Sequence, residues 1–349
     1  MEFTKGNVIT ADKEALVNTV NCVGIMGKGI ALQFKQAYPD NTREYEKACK
    51  KGEVRPGRLF IYRTGRLGNP KYIINFPTKN HWKARSKIQD IELGLDALKK
   101  EIIERNIKSI AIPPLGCGNG GLDWQDVKPL IKKSLSDLND VHIQIFEPEG
   151  SPEAANMPVN TKEPKMTRAR ALLIKLMELY SIPEYKLSLL EVQKLAYFLQ
   201  VSGENLKLDF KKEKYGPYAE NLNFVLQLIE GHFIRGYGDR NSRAMINVMD
   251  KASEKADSYI GSDPEARSRL EHVARLIHGF ETPYGMELLA SVHWVAVNEN
   301  ASTKDEAIEK VCAWNTRKKE TFRIEHIQKA WDRLVEKQWI VPATVAVTT

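Results

Sequence analysis

A glycine-rich stretch between residues 20 and 31, VNCVGIMGKGIA, constrains the fold of this chain more than any other feature. The apolar run before it, residues 15–20, predicts a buried strand, and residues 30–38 predict a helix that ends before Pro39. A strand, a glycine-rich loop and a helix N-terminus in this order can present unpaired backbone N–H groups to a phosphate. The glycine spacing fits neither the dinucleotide fingerprint nor a P-loop, so a tight strand-to-helix turn without a ligand stays open as the alternative.

A second glycine-rich loop, residues 116–122, follows the apolar run 109–115 and precedes a helix predicted from Trp124. In a parallel sheet the carboxyl ends of the strands lie at one edge, where ligands bind. Two glycine loops at that edge can hold two linked phosphates and a ribose between them. Phosphate-ester binding is therefore favoured over two independent turns.

The chain of 349 residues is long enough for two domains. Residues 1–147 alternate short strands with amphipathic helices, which predicts an α/β sandwich with a mostly parallel central sheet. Residues 148–165 contain four prolines and no periodic pattern, so they are interpreted as a linker. Residues 166–349 are predicted to form a mainly α domain, with helices at 168–180, 189–199, 224–229, 267–277, 286–297 and 324–335.

Composition excludes several classes of protein. No run approaches the roughly 18–20 apolar residues that a membrane-spanning helix needs, and residues 1–5 lack the apolar region of a signal peptide. The four cysteines have no CxxC spacing, so neither a disulfide framework nor a zinc site is indicated, and no metal ligand is predicted. We expect a cytoplasmic protein without a membrane partner and without a cofactor.

The net charge of +7 is unevenly distributed along the chain. Residues 1–150 carry 24 Lys and Arg against 18 Asp and Glu, whereas residues 151–349 carry 28 against 27. A basic first domain suits a phosphate-bearing or nucleic-acid substrate. A basic surface that is merely solvated explains the charge equally well.

Four motifs of the first domain resemble the ADP-ribose-binding macrodomains. They are residues 6–10 (GNVIT), 17–21 (VNTVN), 26–31 (MGKGIA) and 112–118 (IPPLGCG), and their order and spacing match over essentially residues 1–147. The resemblance implies a three-layer α/β/α sandwich with a mixed central sheet. Among macrodomains, the chain is similar to the branch that contains the terminal ADP-ribose protein glycohydrolase and the DarG antitoxins.

This resemblance implies how ADP-ribose binds. The two glycine loops clasp the diphosphate and the distal ribose, and the residues after Gly6 lie beside the adenine, where Asn7 replaces the aspartate of many macrodomains. Asn21 lies where the family places an asparagine against the distal ribose, although an asparagine at a strand end is also typical of a turn. The implied contact residues are Val8, Ile9, Thr19, Val20, Asn21, Gly27, Gly29, Ile30, Thr78, Leu115, Gly116, Cys117, Gly118, Asn119 and Gly120.

Lys79 is the catalytic residue that the resemblance implies. It belongs to residues 75–82 (NFPTKNHW), which follow a predicted strand, so we expect Lys79 on a proline-constrained loop at the sheet edge. In the similar glycohydrolases a lysine here reaches the anomeric carbon of the distal ribose. An amine can trap an oxocarbenium-like centre there, or form a Schiff base with the ring-opened aldehyde. Desolvation, or the neighbouring Lys83 and Arg85, would lower the pKa of this lysine.

The sequence departs from this branch at one position. The human-type enzyme pairs its lysine with an aspartate in the second glycine loop, but the matching position here is Gly120. Either Lys79 acts without a carboxylate, as in DarG proteins, or Asp123 substitutes, and we favour the first. A nucleobase imide leaving group needs less acid assistance. His81 could aid proton transfer, although a packing or solvated role is favoured.

The resemblance to DarG proteins also implies a substrate and a partner. DarG proteins remove ADP-ribose from thymidine in single-stranded DNA and so undo modification by the DarT toxin, and a basic domain suits DNA. Residues 190–198 (LEVQKLAYF) and 214–218 (KYGPY) resemble the Panacea-type antitoxin domain. This implies a second domain that binds and neutralises a DarT-like ADP-ribosyltransferase. The apolar members of residues 190–198 would equally form the core of a helix.

Several alternatives stay open. The first domain could remove ADP-ribose from protein carboxylates, or it could bind ADP-ribose without turnover, which the missing aspartate of the second loop favours. The second domain could regulate transcription. Its acids, among them Glu220, Glu230 and Asp239, leave open a surface that mimics DNA toward a toxin.

Overall fold

The structure, a computed structural model, describes residues 1–182, 184–241 and 243–342. The chain divides into two compact units. The first unit consists of Met1–Lys162 together with Gly238–Arg243, and the second unit contains the remainder. Residues 238–243 therefore belong to the first unit, although their position in the sequence predicts that they are part of the second domain.

A six-stranded sheet forms the centre of the first unit. The strands lie in the order β1-β6-β5-β2-β4-β3, with β3 antiparallel to β4 and every other neighbouring pair parallel. The expected mixed sheet is therefore confirmed. The strands are β1 (Glu2–Thr4), β2 (Ala15–Asn21), β3 (Phe60–Arg63), β4 (Tyr72–Lys79), β5 (Ser109–Ile112) and β6 (His142–Phe146).

Helices cover both faces of this sheet. Successive residues of β2 enter different cores, since Val17 packs in the core that contains Leu95 and Ile131, and Leu16 packs in the core that contains Phe34. This alternation produces the expected three-layer sandwich. The helices are α1 (Gly29–Ala37), α2 (Pro39–Lys50), α3 (Ile88–Glu104) and α4 (Trp124–Leu135), with short 3-10 turns at Val8–Thr10 and Ala154–Asn156.

Three neighbouring strands bring the candidate residues to one edge of the sheet. Strands β5, β2 and β4 are adjacent and parallel, so their carboxyl ends, with both glycine loops and Lys79, lie at the same edge. Lys79 is the last residue of β4, so the expectation that it lies on a loop was wrong. The pairing of β4 with β2 continues through Pro77, which lies opposite Val20, and a register shift then places Asn21 opposite Lys79.

Helices dominate the second unit, as expected. The helices Asp250–Ile260, Lys304–Ala313 and Thr316–Thr321 were not predicted. In the first of them the buried residues Ala252, Ala256 and Ile260 recur every four positions, but two of the three are alanines, so the apolar signal in the sequence is small. Among the described residues, no helix has the length and apolar character needed to cross a membrane. The helices are α5 (Arg168–Tyr180), α6 (Leu189–Val201), α7 (Leu222–Ile229), α8 (Asp250–Ile260), α9 (Pro264–Ile277), α10 (Pro283–Asn298), α11 (Lys304–Ala313), α12 (Thr316–Thr321) and α13 (Ile324–Glu336).

The two motifs that resemble the Panacea-type domain are joined by hydrogen bonds within the second unit. Motif 190–198 lies on α6. Strands β7 (Phe210–Glu213) and β8 (Gly216–Ala219) form a hairpin, and motif 214–218 forms its turn and the first part of β8. Gln193 accepts from and donates to the backbone of Ala219, both at 3.0 Å, and Nζ of Lys194 donates to the carbonyl of Pro217 at 2.6 Å. These residues therefore hold the hairpin against the helix. A second short pair, β9 (Ile234–Arg235) with β10 (Asn247–Val248), follows along the chain.

Candidate active site

Asn21 shapes the first glycine loop from the end of β2. Its Oδ1 accepts hydrogen bonds from the N–H groups of Val23 (3.0 Å) and Ile25 (3.3 Å), and its Nδ2 donates to the carbonyl of Ile25 (2.6 Å). The hydroxyl of Tyr45 donates to the backbone carbonyl of Asn21. Asn21 therefore has the turn-forming role considered in the sequence analysis. The amide nitrogen of Asn21 carries two N–H groups, and the bond to Ile25 uses one of them.

The first loop enters α1 at Gly29. This residue has a φ of +61°, and a Cβ added to it would lie 2.7 Å from Nδ2 of Asn119 and 2.8 Å from Nδ2 of Asn241. Its N–H donates to the backbone carbonyl of Asp239 at 2.8 Å. The left-handed backbone conformation favours glycine at this position, whereas the two amides above it are the ends of exposed side chains that can turn aside.

The second glycine loop is closed by its own backbone. The N–H of Leu122 donates to the carbonyl of Gly116 at 3.1 Å, and the N–H of Ser86 donates to the carbonyl of Gly120 at 3.0 Å. A Cβ added to Gly120 would lie 2.3 Å from both the Gly116 carbonyl oxygen and Ser86 Oγ, closer than real atoms approach. This crowding explains why the position that matches the aspartate of the human-type enzyme is glycine in this chain.

Lys79 reaches the second loop from the end of β4. Its Nζ donates to the backbone carbonyl of Asn119 at 2.9 Å. Burial lowers the pKa of Lys79, because the charged ammonium group loses part of its hydration. The cause is this desolvation rather than the charges of Lys83 and Arg85, whose side chains are exposed. A larger share of Lys79 is therefore the neutral, nucleophilic amine than is usual for a lysine.

A cysteine lies in each glycine loop. Burial raises the pKa of the Cys22 thiol to about 11 and that of the Cys117 thiol to about 11, where the carboxylates of Asp123 and Asp126 add to the effect. Both thiols are protonated near pH 7 and are poor nucleophiles in that form. Burial therefore raises the neutral fraction of Lys79 and lowers the thiolate fraction of both cysteines.

The two residues considered as assistants of Lys79 have local structural roles. The carboxylate of Asp123 accepts from the N–H of Gln125 at 2.9 Å and caps α4. His81 lies in an exposed turn, where its Nδ1 accepts from the N–H of Lys83 at 3.3 Å. In the described part of the chain, no three His, Cys, Asp or Glu side chains are arranged to hold a metal ion.

The remaining predicted contact residues differ in their surroundings. Asn7 caps the turn Val8–Thr10, since its Oδ1 accepts from the N–H of Ile9 at 3.0 Å. The hydroxyl of Thr78 donates to the carbonyl of Val20 at 3.5 Å. In exposure, Val8, Ile9, Val20, Thr78, Leu115 and Gly116 are buried, Thr19, Gly27 and Ile30 are half-buried, and Gly118 and Asn119 are exposed.

Sequence reasoning missed two residues at this site, Asp239 and Asn241. Asp239 is fully buried, and its carboxylate accepts from Nε2 of Gln33 at 2.8 Å and from Oγ of Ser151 at 2.9 Å. Gln33 is 206 positions away in the sequence, so no local pattern could predict the contact. The tertiary fold alone brings this segment to Gly29.

Two of the three acids suggested for a DNA-mimicking surface are buried. Asp239 is buried in the first unit, and Glu230 is buried with its carboxylate accepting from the N–H groups of Gly236 (3.0 Å) and Tyr237 (3.1 Å). Naming these two residues as part of an exposed acidic face was therefore wrong. Glu220 is exposed.

Known proteins are similar in sequence to this chain over nearly its whole length. Residues 17–131 match the Macro domain family. A protein of Thermus aquaticus named DNA ADP-ribosyl glycohydrolase is 47% identical over 343 residues, which cover 98% of this chain and 95% of that protein. The protein of the same name from Mycobacterium tuberculosis is 43% identical, with 95% and 98% covered. The chain belongs to this family of DNA ADP-ribosyl glycohydrolases.

The similarity to these glycohydrolases extends over both units, because almost the whole of each chain is aligned. The DarG-type assignment made from the loop motifs is therefore confirmed. A protein of Thermosipho africanus named as a fusion of a DNA ADP-ribosyl transferase with a DNA ADP-ribosyl glycohydrolase is 34% identical over 163 residues, 42% of each chain.

Proposed function

We propose that the first unit hydrolyses the bond between ADP-ribose and thymidine in single-stranded DNA, with Lys79 as the catalytic residue. The observation that carries the proposal is the hydrogen bond from Lys79 to Asn119, which holds a partly desolvated amine against the second glycine loop. The family membership of the chain supports DNA as the carrier of ADP-ribose.

In this proposal ADP-ribose lies across the carboxyl edge of the sheet. The diphosphate and the distal ribose lie between the loop that Asn21 shapes and the loop that contains Asn119, and the adenine lies beside Val8 and Ile9. Backbone N–H groups of a glycine-rich loop suit phosphate oxygens. The remaining contact residues are those implied by the macrodomain resemblance.

Lys79 acts on the anomeric carbon of the distal ribose. As the bond to the thymine imide nitrogen breaks, the bonding electrons leave with the base, and the neutral amine attacks the oxocarbenium-like carbon. The proton that the attacking amine loses neutralises the thymine anion, and ring opening of the resulting glycosylamine gives a Schiff base at the same carbon. Water then releases ADP-ribose and regenerates the lysine. The carbonyl of Asn119 accepts one N–H of the amine, which leaves its lone pair to face the sugar.

A mechanism without a partner carboxylate fits the second loop. The loop has no room for a side chain at Gly120, and Asp123 caps α4. A thymine imide is a good leaving group, so it needs less general-acid assistance than an alcohol does. Lys79 therefore works without an aspartate.

Three side chains close to Lys79 in the sequence favour DNA over a protein as the carrier of ADP-ribose. Trp82 exposes 46% of its surface, and Nζ of Lys83 lies 5.0 Å from the centre of its ring. Arg85 is also exposed. An exposed indole can stack on a base, and the two cations suit backbone phosphates.

The experiment compares Lys79→Ala with Lys51→Ala, an exposed lysine after α2, on an ADP-ribosylated oligonucleotide and an ADP-ribosylated protein. We expect wild type and Lys51→Ala to release ADP-ribose from the oligonucleotide, and Lys79→Ala to release at least 100-fold less (~2.7 kcal/mol in the barrier). Preferential release from the protein would favour the carboxylate-directed alternative. ADP-ribose binding by wild type without release would favour a reader.

We also propose that the second unit binds and neutralises a DarT-type ADP-ribosyltransferase. The fusion protein of Thermosipho africanus, whose name joins both activities in one chain, supports a working pair. The test adds the full-length Lys79→Ala variant to a DarT-type ADP-ribosyltransferase and measures DNA modification. Since this variant does not remove ADP-ribose, inhibition at equimolar concentration would come from binding. Undiminished modification would contradict the proposal.

A further inference from the structure

A short segment from the second half of the chain, Gly238–Arg243, forms part of the first unit. Asp239 anchors it through both its backbone and its side chain. Its carbonyl accepts from the N–H of Gly29 at 2.8 Å, and its buried carboxylate accepts from Gln33 at 2.8 Å and Ser151 at 2.9 Å. The negative carboxylate also lies close to the positive end of the α1 dipole. The segment is thus fixed to the first glycine loop and not merely adjacent to it.

The same anchor orients Asn241. The N–H of Asn241 donates to Oδ1 of Asp239 at 2.9 Å, and Arg240 between them has a φ of +66°, which turns the chain sharply. As a result Nδ2 of Asn241 lies 2.8 Å from the position that a Cβ of Gly29 would occupy, and Nδ2 of Asn119 lies 2.7 Å from it. Two amide donors, one from each side, therefore converge above the same glycine.

We propose that Asn241 is a ligand-binding residue that contacts the diphosphate–distal ribose part of ADP-ribose. Its exposed amide can donate to a phosphate or hydroxyl oxygen held between the glycine loops. The N–H of Gly29, the first unpaired donor of α1, is already used by Asp239, so the amide of Asn241 supplies a donor in its place. This inference rests on the proposed function of the same site.

The geometry also distinguishes ligand binding from autoinhibition, in which the segment would act as a plug that fills the site and is displaced by the ligand. A plug must leave when the ligand binds, and leaving would break the bonds of Asp239 to Gly29, Gln33 and Ser151 and expose a buried carboxylate. A side chain that turns about its own χ angles costs far less. Asn241 therefore binds the ligand while the backbone of the segment stays in place.

The test measures binding of ADP-ribose and of AMP to the full-length protein by calorimetry. Asn241→Ala should weaken ADP-ribose binding about tenfold or more, as expected for the loss of a hydrogen bond to a charged group. Asn241→Asp keeps the shape but places a negative charge beside the diphosphate, and it should weaken binding further. Asn241→Ala should bind AMP as wild type does, since AMP lacks the second phosphate and the distal ribose. Asn139→Ala, an exposed asparagine of the same unit, is the control.

The outcomes separate this inference from the proposed function. If wild type hydrolyses ADP-ribosylated DNA while both Asn241 variants bind ADP-ribose with wild-type affinity, the role of Asn241 is overturned and the function stands. Tighter binding by Asn241→Ala would identify a plug and also overturn it. If wild type neither binds ADP-ribose nor hydrolyses the DNA, the proposed function fails and the inference fails with it.

Discussion

The two glycine loops stand side by side at one sheet edge but are built differently. The first loop is held by side chains, because Asn21 bonds three times to its backbone and Met26 is buried beneath it. The second is held by close approach of its own backbone, and at Gly120 even a methyl group would overlap its neighbours. A single side-chain substitution therefore loosens the first loop, whereas any added side chain at Gly120 distorts the second.

This difference also divides the chemistry between the loops. The first loop positions α1 and the segment that carries Asn241, so it acts on binding. The second loop accepts the hydrogen bond of Lys79, so it acts on the nucleophile. Substitutions in the two loops should consequently separate affinity from turnover.

The largest effect is expected for Gly120→Asp, which restores the aspartate of the human-type enzyme. Its Cβ would meet the carbonyl oxygen of Gly116 at 2.3 Å, and a backbone atom cannot move aside as a flexible side chain can. We expect the free energy of unfolding to fall by about 3 kcal/mol or more and hydrolysis to be lost. Chemical denaturation and release of ADP-ribose from DNA measure the two effects.

Gly118→Asp is the matched control for this prediction. A Cβ at Gly118 would have no atom within 4 Å, so Gly118→Asp should keep the free energy of unfolding near the wild-type value. Because Gly118 is itself a predicted contact residue, this control applies to stability and not to hydrolysis. A Gly120→Asp protein with wild-type stability and faster hydrolysis would show that the loop accepts a carboxylate, and the structural explanation for its absence would be wrong.

A smaller effect is expected for Asn21→Ala in the first loop. The change removes three hydrogen bonds and leaves two backbone N–H groups to find water, which should cost about 2 kcal/mol of unfolding free energy. The substrate KM should rise more than kcat falls, because the loop shapes the binding surface. Thermal unfolding and steady-state kinetics test this, with Asn139→Ala as the control. A fall in kcat alone would contradict the division between the loops.

The sequence predicts most of this architecture where the pattern is local. Strand β2, the two glycine loops and helix α1 follow from hydrophobic periodicity and from glycines between apolar runs. The end of β4 could not be predicted in the same way. Pro77 interrupts the usual strand pattern, yet pairing with β2 carries the strand on to Lys79.

The part of the site that the sequence does not predict depends on distant contacts. An aspartate such as Asp239 is expected on the surface. Only the fold shows that Asp239 is buried and bonded to Gln33, 206 positions away. The crowding at Gly120 is of the same kind, because it depends on Ser86 from another part of the chain. Resemblance identified Gly120 as a departure, and the packing supplies its physical cause.

The smallest expected effect is the pH dependence of hydrolysis, which tests the link between Lys79 and the second loop. Only the neutral amine attacks carbon, so kcat should rise with pH, by about tenfold per unit below the pKa of Lys79 in the bound state, and level off above it. Since burial lowers that pKa, the plateau should begin at a lower pH than an ordinary lysine would give. Asn119→Ala keeps the backbone carbonyl that accepts from Lys79, so it should leave the midpoint unchanged. A midpoint at the ordinary lysine value would mean that Lys79 is fully hydrated when it reacts, and the second loop would then have no influence on the nucleophile.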